Sequence, residues 1–217
     1  MINDSTPALD SLIKGYRRFR ETGWAPYRAR WAELKEGQSP QVMIISCSDS
    51  RVDPSQIFDV DPGEIFVVRN VAALVPPYET TPGQHGVSAA LEFAVQVLKV
   101  KEVVVMGHGM CGGCQAALTQ AMDGADFGEG RFVQQWISLL DEARKPIAAK
   151  HGTHSREAEL EMEKEAVKVS LANLRTFPFV SDKLKNGQLK LRGAHFAISD
   201  GILNVLDEGE DRFRAIV

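Results

Sequence analysis

Two short segments carry all three cysteines of the chain, and each segment follows a short, unbroken apolar run. Residues 47–51 read Cys-Ser-Asp-Ser-Arg after the run 42–46, and residues 107–114 read Gly-His-Gly-Met-Cys-Gly-Gly-Cys after the run 102–106. Apolar runs of this length indicate strands buried on both faces, as in a parallel sheet. Side chains at the carboxyl ends of such strands share one edge of the sheet, where ligands bind. The pattern therefore predicts that the two segments form one site.

The remainder of the chain alternates between helical and strand patterns. Helices are expected at 8–36, at 85–99, from Cys111 to about Met122, and from Ser155 to Pro178; further strands are expected at 65–69, 189–198 and 201–205. We therefore predict an α/β fold with a mainly parallel central β-sheet flanked by helices and with an N-terminal helical arm. The dense charges of the helix after Ser155 are expected to face solvent. Gly107 is expected to end the strand formed by residues 102–106.

Composition excludes several classes of function. The formal net charge of −4 and the absence of a basic stripe argue against a nucleic-acid partner. Residues 1–4 lack a signal-peptide pattern, and no apolar run reaches the roughly 20 residues that span a bilayer. Three clustered cysteines are too few for a disulfide framework, which favours a reducing compartment. We expect no membrane association and a cytoplasmic location.

The residue types in the two segments are those of a zinc site. Zinc prefers tetrahedral coordination by thiolate and imidazole, and a catalytic site leaves one position for water. Cys47, His108 and Cys111 can supply three ligands, and Asp49 can reach the fourth position or stay back from it. The guanidinium of Arg51 suits a bidentate pair with a carboxylate.

Cys114 leaves a second arrangement open. It is either a small buried apolar residue or, with Cys111, a C-x-x-C pair. In the second case His108, Cys111 and Cys114 would form a structural zinc site, or the two cysteines a redox pair.

The two segments together resemble the signatures of the β-class carbonic anhydrases, of the plant-like branch. The resemblance is close from Gln38 to Gly113 and continues from Glu163 to Val180. It implies a single β-carbonic anhydrase-like domain over 1–217, with a helical arm at 1–36, a zinc-site core at 38–122, and a C-terminal helix and strands at 155–217.

The resemblance also assigns roles to residues. It makes Cys47, His108 and Cys111 the zinc ligands, and it makes Asp49 and Arg51 the catalytic pair beside the metal. It implies, in addition, that Gln38 binds the substrate through a hydrogen bond and that two apolar residues, Phe66 and Val71, line the substrate pocket.

The function implied by the resemblance is that of a zinc lyase. Zinc-bound hydroxide would attack carbon dioxide to give bicarbonate and a proton, in a homodimer or homotetramer. One alternative is a hydrolase of carbon disulfide or carbonyl sulfide on the same scaffold. The other is a non-catalytic interaction protein with a closed structural zinc site. Members with an inhibitory bicarbonate site carry tryptophan where this chain has Ile44, so we predict that this site is absent and that Asp49 stays off the zinc.

Overall fold

The computed structural model describes residues 7–216. The prediction that residues 1–4 carry no signal peptide lies outside this range. The described residues form two compact units, one up to Ser39 and one from Pro40 onward. Each unit is described by itself, and the extent of a single domain over 1–217 stays a prediction.

The first unit is helical, as predicted for the N-terminal arm. Helix α1 (Pro7–Arg18) continues into a π-helical segment (Phe19–Trp24), and α2 (Arg28–Leu34) follows a break in the helix. Aromatic contacts link these pieces, since the rings of Phe19 and Trp31 meet edge to face with their centroids 6.3 Å apart.

The second unit is built on a six-stranded sheet in the order β2-β1-β3-β4-β5-β6. Its strands are β1 (Val42–Cys47), β2 (Ile65–Asn70), β3 (Glu102–His108), β4 (Lys190–Ala197), β5 (Ile202–Asp207) and β6 (Arg212–Ala215). The first four strands are parallel, and β5 and β6 are antiparallel. The predicted α/β class with a mainly parallel sheet is confirmed.

Seven helices belong to the described part of this unit. They are α3 (Pro54–Ile57), α4 (Gly86–Glu92, extended by the π-helical segment Phe93–Leu98), α5 (Gly112–Thr119), α6 (Arg131–Ile137), α7 (Asp141–His151), α8 (Arg156–Leu174) and α9 (Pro178–Lys185). Ser155 caps α8 as predicted, because its Oγ accepts a hydrogen bond from the backbone N–H of Ala158 at 3.1 Å. None of the helices described between residues 7 and 216 has the length and apolarity required to cross a lipid bilayer.

Several predicted boundaries were wrong. Gly107 does not end its strand, because β3 continues through His108. Helix α5 ends at Thr119 because Gln120 adopts a left-handed conformation (φ 55°). Helices α3, α6 and α7 and strand β6 were not predicted.

The main core lies between one face of the sheet and helices α4 and α8. Met43 and Ile45 of β1 belong to this cluster together with Leu91 of α4 and Leu171 of α8. A glycine at 107 allows α8 to approach β3, since a Cβ there would lie 2.7 Å from the side chain of Val167. The position of α8 matters for the site because this helix crosses behind the end of β3.

A second apolar cluster surrounds the carboxyl edge of the sheet. It contains all three cysteines together with buried residues of α5, α7 and α8, including Leu118 and Met162. The thiols and the His108 imidazole at this edge are therefore shielded from water, which strengthens their interactions with one another.

Candidate metal centre and active site

Cys47 and His108 end two adjacent strands. Cys47 is the last residue of β1 and His108 the last residue of β3, and the register of the parallel pair places Ser46 beside Met106. Both side chains are buried, with exposed fractions of 6% for Cys47 and 1% for His108. The sheet thus brings together two residues that are far apart in sequence, as the pattern of the two segments predicts.

Cys111 approaches the same point from a turn. Met110 has a positive φ of 57°, and Cys111 then occupies the position before the first residue of α5, with no capping hydrogen bond from its side chain. The sulfurs of Cys47 and Cys111 are 4.0 Å apart. One ligand atom from each of Cys47, His108 and Cys111 lies within 4.8 Å of the other two, and no other group of three such residues is found within the part of the chain that the structure describes.

The orientation of His108 fits a metal. Its Nδ1 lies 2.9 Å from the carbonyl oxygen of Gly109, and because a carbonyl only accepts, Nδ1 must carry the proton and donate it. The Nε2 lone pair is then directed away from Gly109, and this buried atom has no hydrogen-bond partner among residues 7–216. An imidazole fixed in this way beside two thiols can ligate a cation directly.

The two thiols resist ionisation when no cation is bound. The contact with Cys111 and burial raise the pKa of Cys47 to about 12. The contact with Cys114 and burial raise the pKa of Cys111 to about 12. A dication that binds here as a dithiolate complex must therefore displace protons from both sulfurs, and its apparent affinity falls as the pH falls.

Asp49 and Arg51 form the predicted pair beside the sulfurs. The Nε of Arg51 donates to Oδ1 of Asp49 at 2.9 Å, and its Nη2 donates to Oδ2 at 2.7 Å. This bidentate contact holds the pKa of Asp49 well below its usual range. Asp49 therefore remains ionised at neutral pH, and its Oδ2 lies 4.0 Å from Nε2 of His108.

Two charged residues at the site were not predicted. Arg69 of β2 donates to the carbonyl oxygens of Cys47 at 2.9 Å and Asp49 at 2.6 Å, so it fixes the segment between them. Glu163 of α8 lies within the charge run expected to face solvent, yet it is only 2% exposed and accepts from the backbone N–H of Met110 at 2.6 Å. One feature of the sequence indicated a role for Arg69, namely that a charged residue follows four apolar residues within the same strand.

The structure separates the two residues assigned to the substrate pocket. Val71 directly follows β2, whose last residue, Asn70, pairs with Cys47, so Val71 lies at the carboxyl edge. Phe66 pairs with Met43 near the other end of the strand, about 13 Å from this edge at a rise of 3.3 Å per residue. Gln38 belongs to the N-terminal unit, and its role in substrate binding stays a prediction.

The alternative site with Cys114 is not formed. Cys114 is buried in the apolar cluster, and the close group of ligand atoms contains Cys47 in its place. Its assignment as a small apolar residue agrees with this position.

The backbone of Gly113 packs closely against Val71 and Ala72 next to the site. A Cβ at Gly113 would lie 2.7 Å from Cγ1 of Val71 and 3.0 Å from Cβ of Ala72, whereas a Cβ at Gly112 would meet nothing within 4 Å. We therefore expect Gly113→Ala to lower the free energy of unfolding by about 1–3 kcal/mol and Gly112→Ala to leave it nearly unchanged. Urea denaturation of both variants measures this difference, and equal values would contradict the proposed contact.

Comparisons with known proteins identify the family. The family model described as carbonic anhydrase matches residues 42–203, which include all three candidate ligands. The chain belongs to the β-class carbonic anhydrases. Beta carbonic anhydrase 3 of Arabidopsis thaliana is 34% identical over 199 residues, which cover 91% of this chain and 76% of that protein.

Solved structures of the class have the same fold. The β-carbonic anhydrase CcaA superposes with a TM-score of 0.88 at 28% identity, covering 98% of this chain and 93% of that one. A chain from the structures of two tetrameric β-carbonic anhydrases of Sordaria macrospora gives a TM-score of 0.72 at 27% identity, covering 90% and 97%. The carbonic anhydrase has the class fold over nearly its whole length.

Proposed function

We propose that this carbonic anhydrase binds zinc through Cys47, His108 and Cys111 and catalyses the reversible hydration of carbon dioxide to bicarbonate and a proton. The observation that carries the proposal is the convergence of two thiols and an unpartnered imidazole nitrogen. Two sulfurs and one nitrogen are a donor set that zinc prefers over magnesium or calcium. Zinc, when bound, acts as a Lewis acid that makes a hydroxide nucleophile available near neutral pH.

Asp49 and Arg51 orient the reacting groups in this proposal. Arg51 binds both carboxylate oxygens of Asp49, which keeps the side chain ionised and fixed in direction. The carboxylate can accept a hydrogen bond from the attacking nucleophile and so direct its lone pair toward carbon dioxide. Gln38 is proposed to donate to a substrate oxygen as negative charge develops there. Val71 supplies apolar surface for carbon dioxide at the same edge.

The proposed assembly is a homodimer or homotetramer. Phe93 and Val97, in the helical segment that extends α4, expose 43% and 60% of their surface, and the ring centroid of Phe93 lies 5.9 Å from that of Phe66 in the edge strand β2. An exposed apolar group at a sheet edge is typical of an interface. The match to a chain of tetrameric relatives supports this assembly. A pocket completed by a second copy would explain why Phe66 lies far from Cys47 within one chain.

The cytoplasmic location stays a prediction.

Removal and return of the metal test the function. We expect stopped-flow measurements to show carbon dioxide hydration by the zinc-loaded protein, loss of turnover after chelation, and recovery when one equivalent of zinc is added. Parallel assays with carbonyl sulfide and carbon disulfide distinguish the hydrolase alternative. A protein that holds one zinc per chain and turns over none of the three substrates would contradict catalysis and support a structural zinc site.

A further inference from the structure

Met110 is held by hydrogen bonds at both of its backbone polar groups, which belong to the two successive peptides that flank its Cα. Its N–H donates to Oε1 of Glu163 at 2.6 Å, and its carbonyl accepts from Nη2 of Arg51 at 3.0 Å. Met110 itself has a φ of 57°, a left-handed conformation that costs free energy for any residue except glycine. The next residue is Cys111, so the backbone conformation of Met110, which relates these two peptides, determines where the Cys111 sulfur points.

Glu163 is a buried carboxylate with four partners. Besides the N–H of Met110, its Oε1 faces the N–H of Cys111 at 3.4 Å and Nη1 of Arg156 at 3.5 Å. Its Oε2 accepts from Nε2 of His195 at 3.0 Å, and both of these side chains are 2% exposed. Hydrogen bonds from backbone N–H groups to an ionised acceptor are stronger than neutral ones, and burial strengthens them further.

Packing alone does not hold the turn. A cavity of about 130 Å³ borders it and is lined by Met110, Cys111, Gln115, Glu159 and Glu163. Met110 therefore has room to relax toward a right-handed backbone conformation if its N–H loses the Glu163 carboxylate as acceptor. Such a rotation would turn Cys111 away from Cys47 and release the carbonyl that Arg51 binds.

We propose that Glu163 is a positioning residue for the metal centre. By accepting the Met110 N–H, it keeps this residue in the left-handed conformation that directs the Cys111 sulfur toward Cys47 and His108. By holding Met110 in this conformation, it also fixes the direction of the carbonyl in the following peptide, to which Arg51 is bound. The inference rests on the proposed zinc function and adds a residue that touches neither metal nor substrate.

Two substitutions of similar size separate hydrogen bonding from packing. Glu163→Met keeps the volume and removes the acceptor, whereas Glu163→Gln keeps an oxygen for the Met110 N–H. We expect zinc release to a chromophoric chelator to be about 10–100-fold faster in Glu163→Met than in wild type. We expect it to change by only a few-fold in Glu163→Gln. Glu165→Met is the matched control on the same helix, because Glu165 contacts Lys168 and not the turn; its release rate should equal that of wild type.

A rescue variant tests the conformation itself. Glycine adopts positive φ at no steric cost, so adding Met110→Gly to Glu163→Met should slow zinc release again by roughly fivefold. In the cobalt-substituted protein, the thiolate-to-metal absorption should be weakened in Glu163→Met and restored in the double variant. Circular dichroism of each variant shows whether it is folded.

The outcomes distinguish this inference from the function on which it rests. Wild-type protein that binds no zinc would overturn both. Wild-type protein that binds zinc, with equal release rates in Glu163→Met and Glu163→Gln, would overturn the positioning role alone. Failure of Met110→Gly to slow release would also overturn it. If Glu163→Met does not fold, Glu163→Gln is compared with wild-type protein: zinc release more than about tenfold faster, or a weakened cobalt absorption, would contradict positioning through the Met110 hydrogen bond.

Discussion

Cys111→Ser is expected to remove bound zinc and to lower carbon dioxide hydration more than about a thousandfold. A serine hydroxyl does not ionise near neutral pH and is a poor zinc ligand, so only Cys47 and His108 would remain. The sulfurs of Cys47 and Cys111 lie 4.0 Å apart in the unsubstituted chain, close enough for one ion to bind both. Metal analysis and stopped-flow hydration of the purified variant measure the two effects.

Cys114→Ser is the matched control for this variant. Cys114 is buried like Cys111 but lies outside the close group of ligand atoms. It should retain one zinc per chain and most of the activity, with some loss of stability because a hydroxyl replaces a thiol among apolar side chains. Loss of zinc in Cys114→Ser together with retention in Cys111→Ser would favour the site with Cys114 and contradict the assignment made here.

Asp49→Asn is expected to lower kcat by about 10²–10⁴-fold while the zinc content stays at one per chain. The amide has the size of the carboxylate, but it lacks the charge and can offer only one oxygen to Arg51. Metal content measured beside kcat separates this effect from loss of the metal. Asp182→Asn is the control, since Asp182 is exposed and its ion pair with Lys185 spans 3.8 Å. Wild-type kcat in Asp49→Asn would contradict the proposed role.

The depressed pKa of Asp49 determines the pH range over which its contact with Arg51 persists. Its folded pKa lies below the unfolded value, so the contact with Arg51 is fully present at neutral pH and is lost only as the pH falls through that low value. Any change in turnover between mildly acid and alkaline pH must therefore come from another group. We expect turnover to rise from neutral to alkaline pH as the proposed nucleophile ionises, and a flat profile would contradict this.

The parts of the site that could be predicted are those governed by strand order. Cys47 and His108 follow short apolar runs, and the carboxyl ends of parallel strands meet at one edge, so their proximity follows from local sequence. Asp49 and Arg51 follow Cys47 closely in sequence and therefore lie at the same edge of the sheet. These residues need no knowledge of distant contacts.

The parts that could not be predicted depend on tertiary contacts. Glu163 stands among other acids and lysines, and nothing in its spacing distinguishes it from Glu165, which is partly exposed. Its burial arises because α8 crosses the end of β3 and meets the Met110 N–H. The remoteness of Phe66 from Cys47 within one chain could not be foreseen either, because sequence resemblance assigns a role without giving the distance between the two residues.

Two of the three donor atoms belong to residues of adjacent strands, and the third belongs to a turn. The ladder of hydrogen bonds between β1 and β3 fixes the separation of Cys47 and His108, whatever ion occupies the site. We therefore expect a larger soft cation such as cadmium to be accommodated mainly by movement of Cys111, the donor on the turn. The few residues around Met110 are then expected to adjust to the radius of the bound ion, while the spacing between β1 and β3 stays the same.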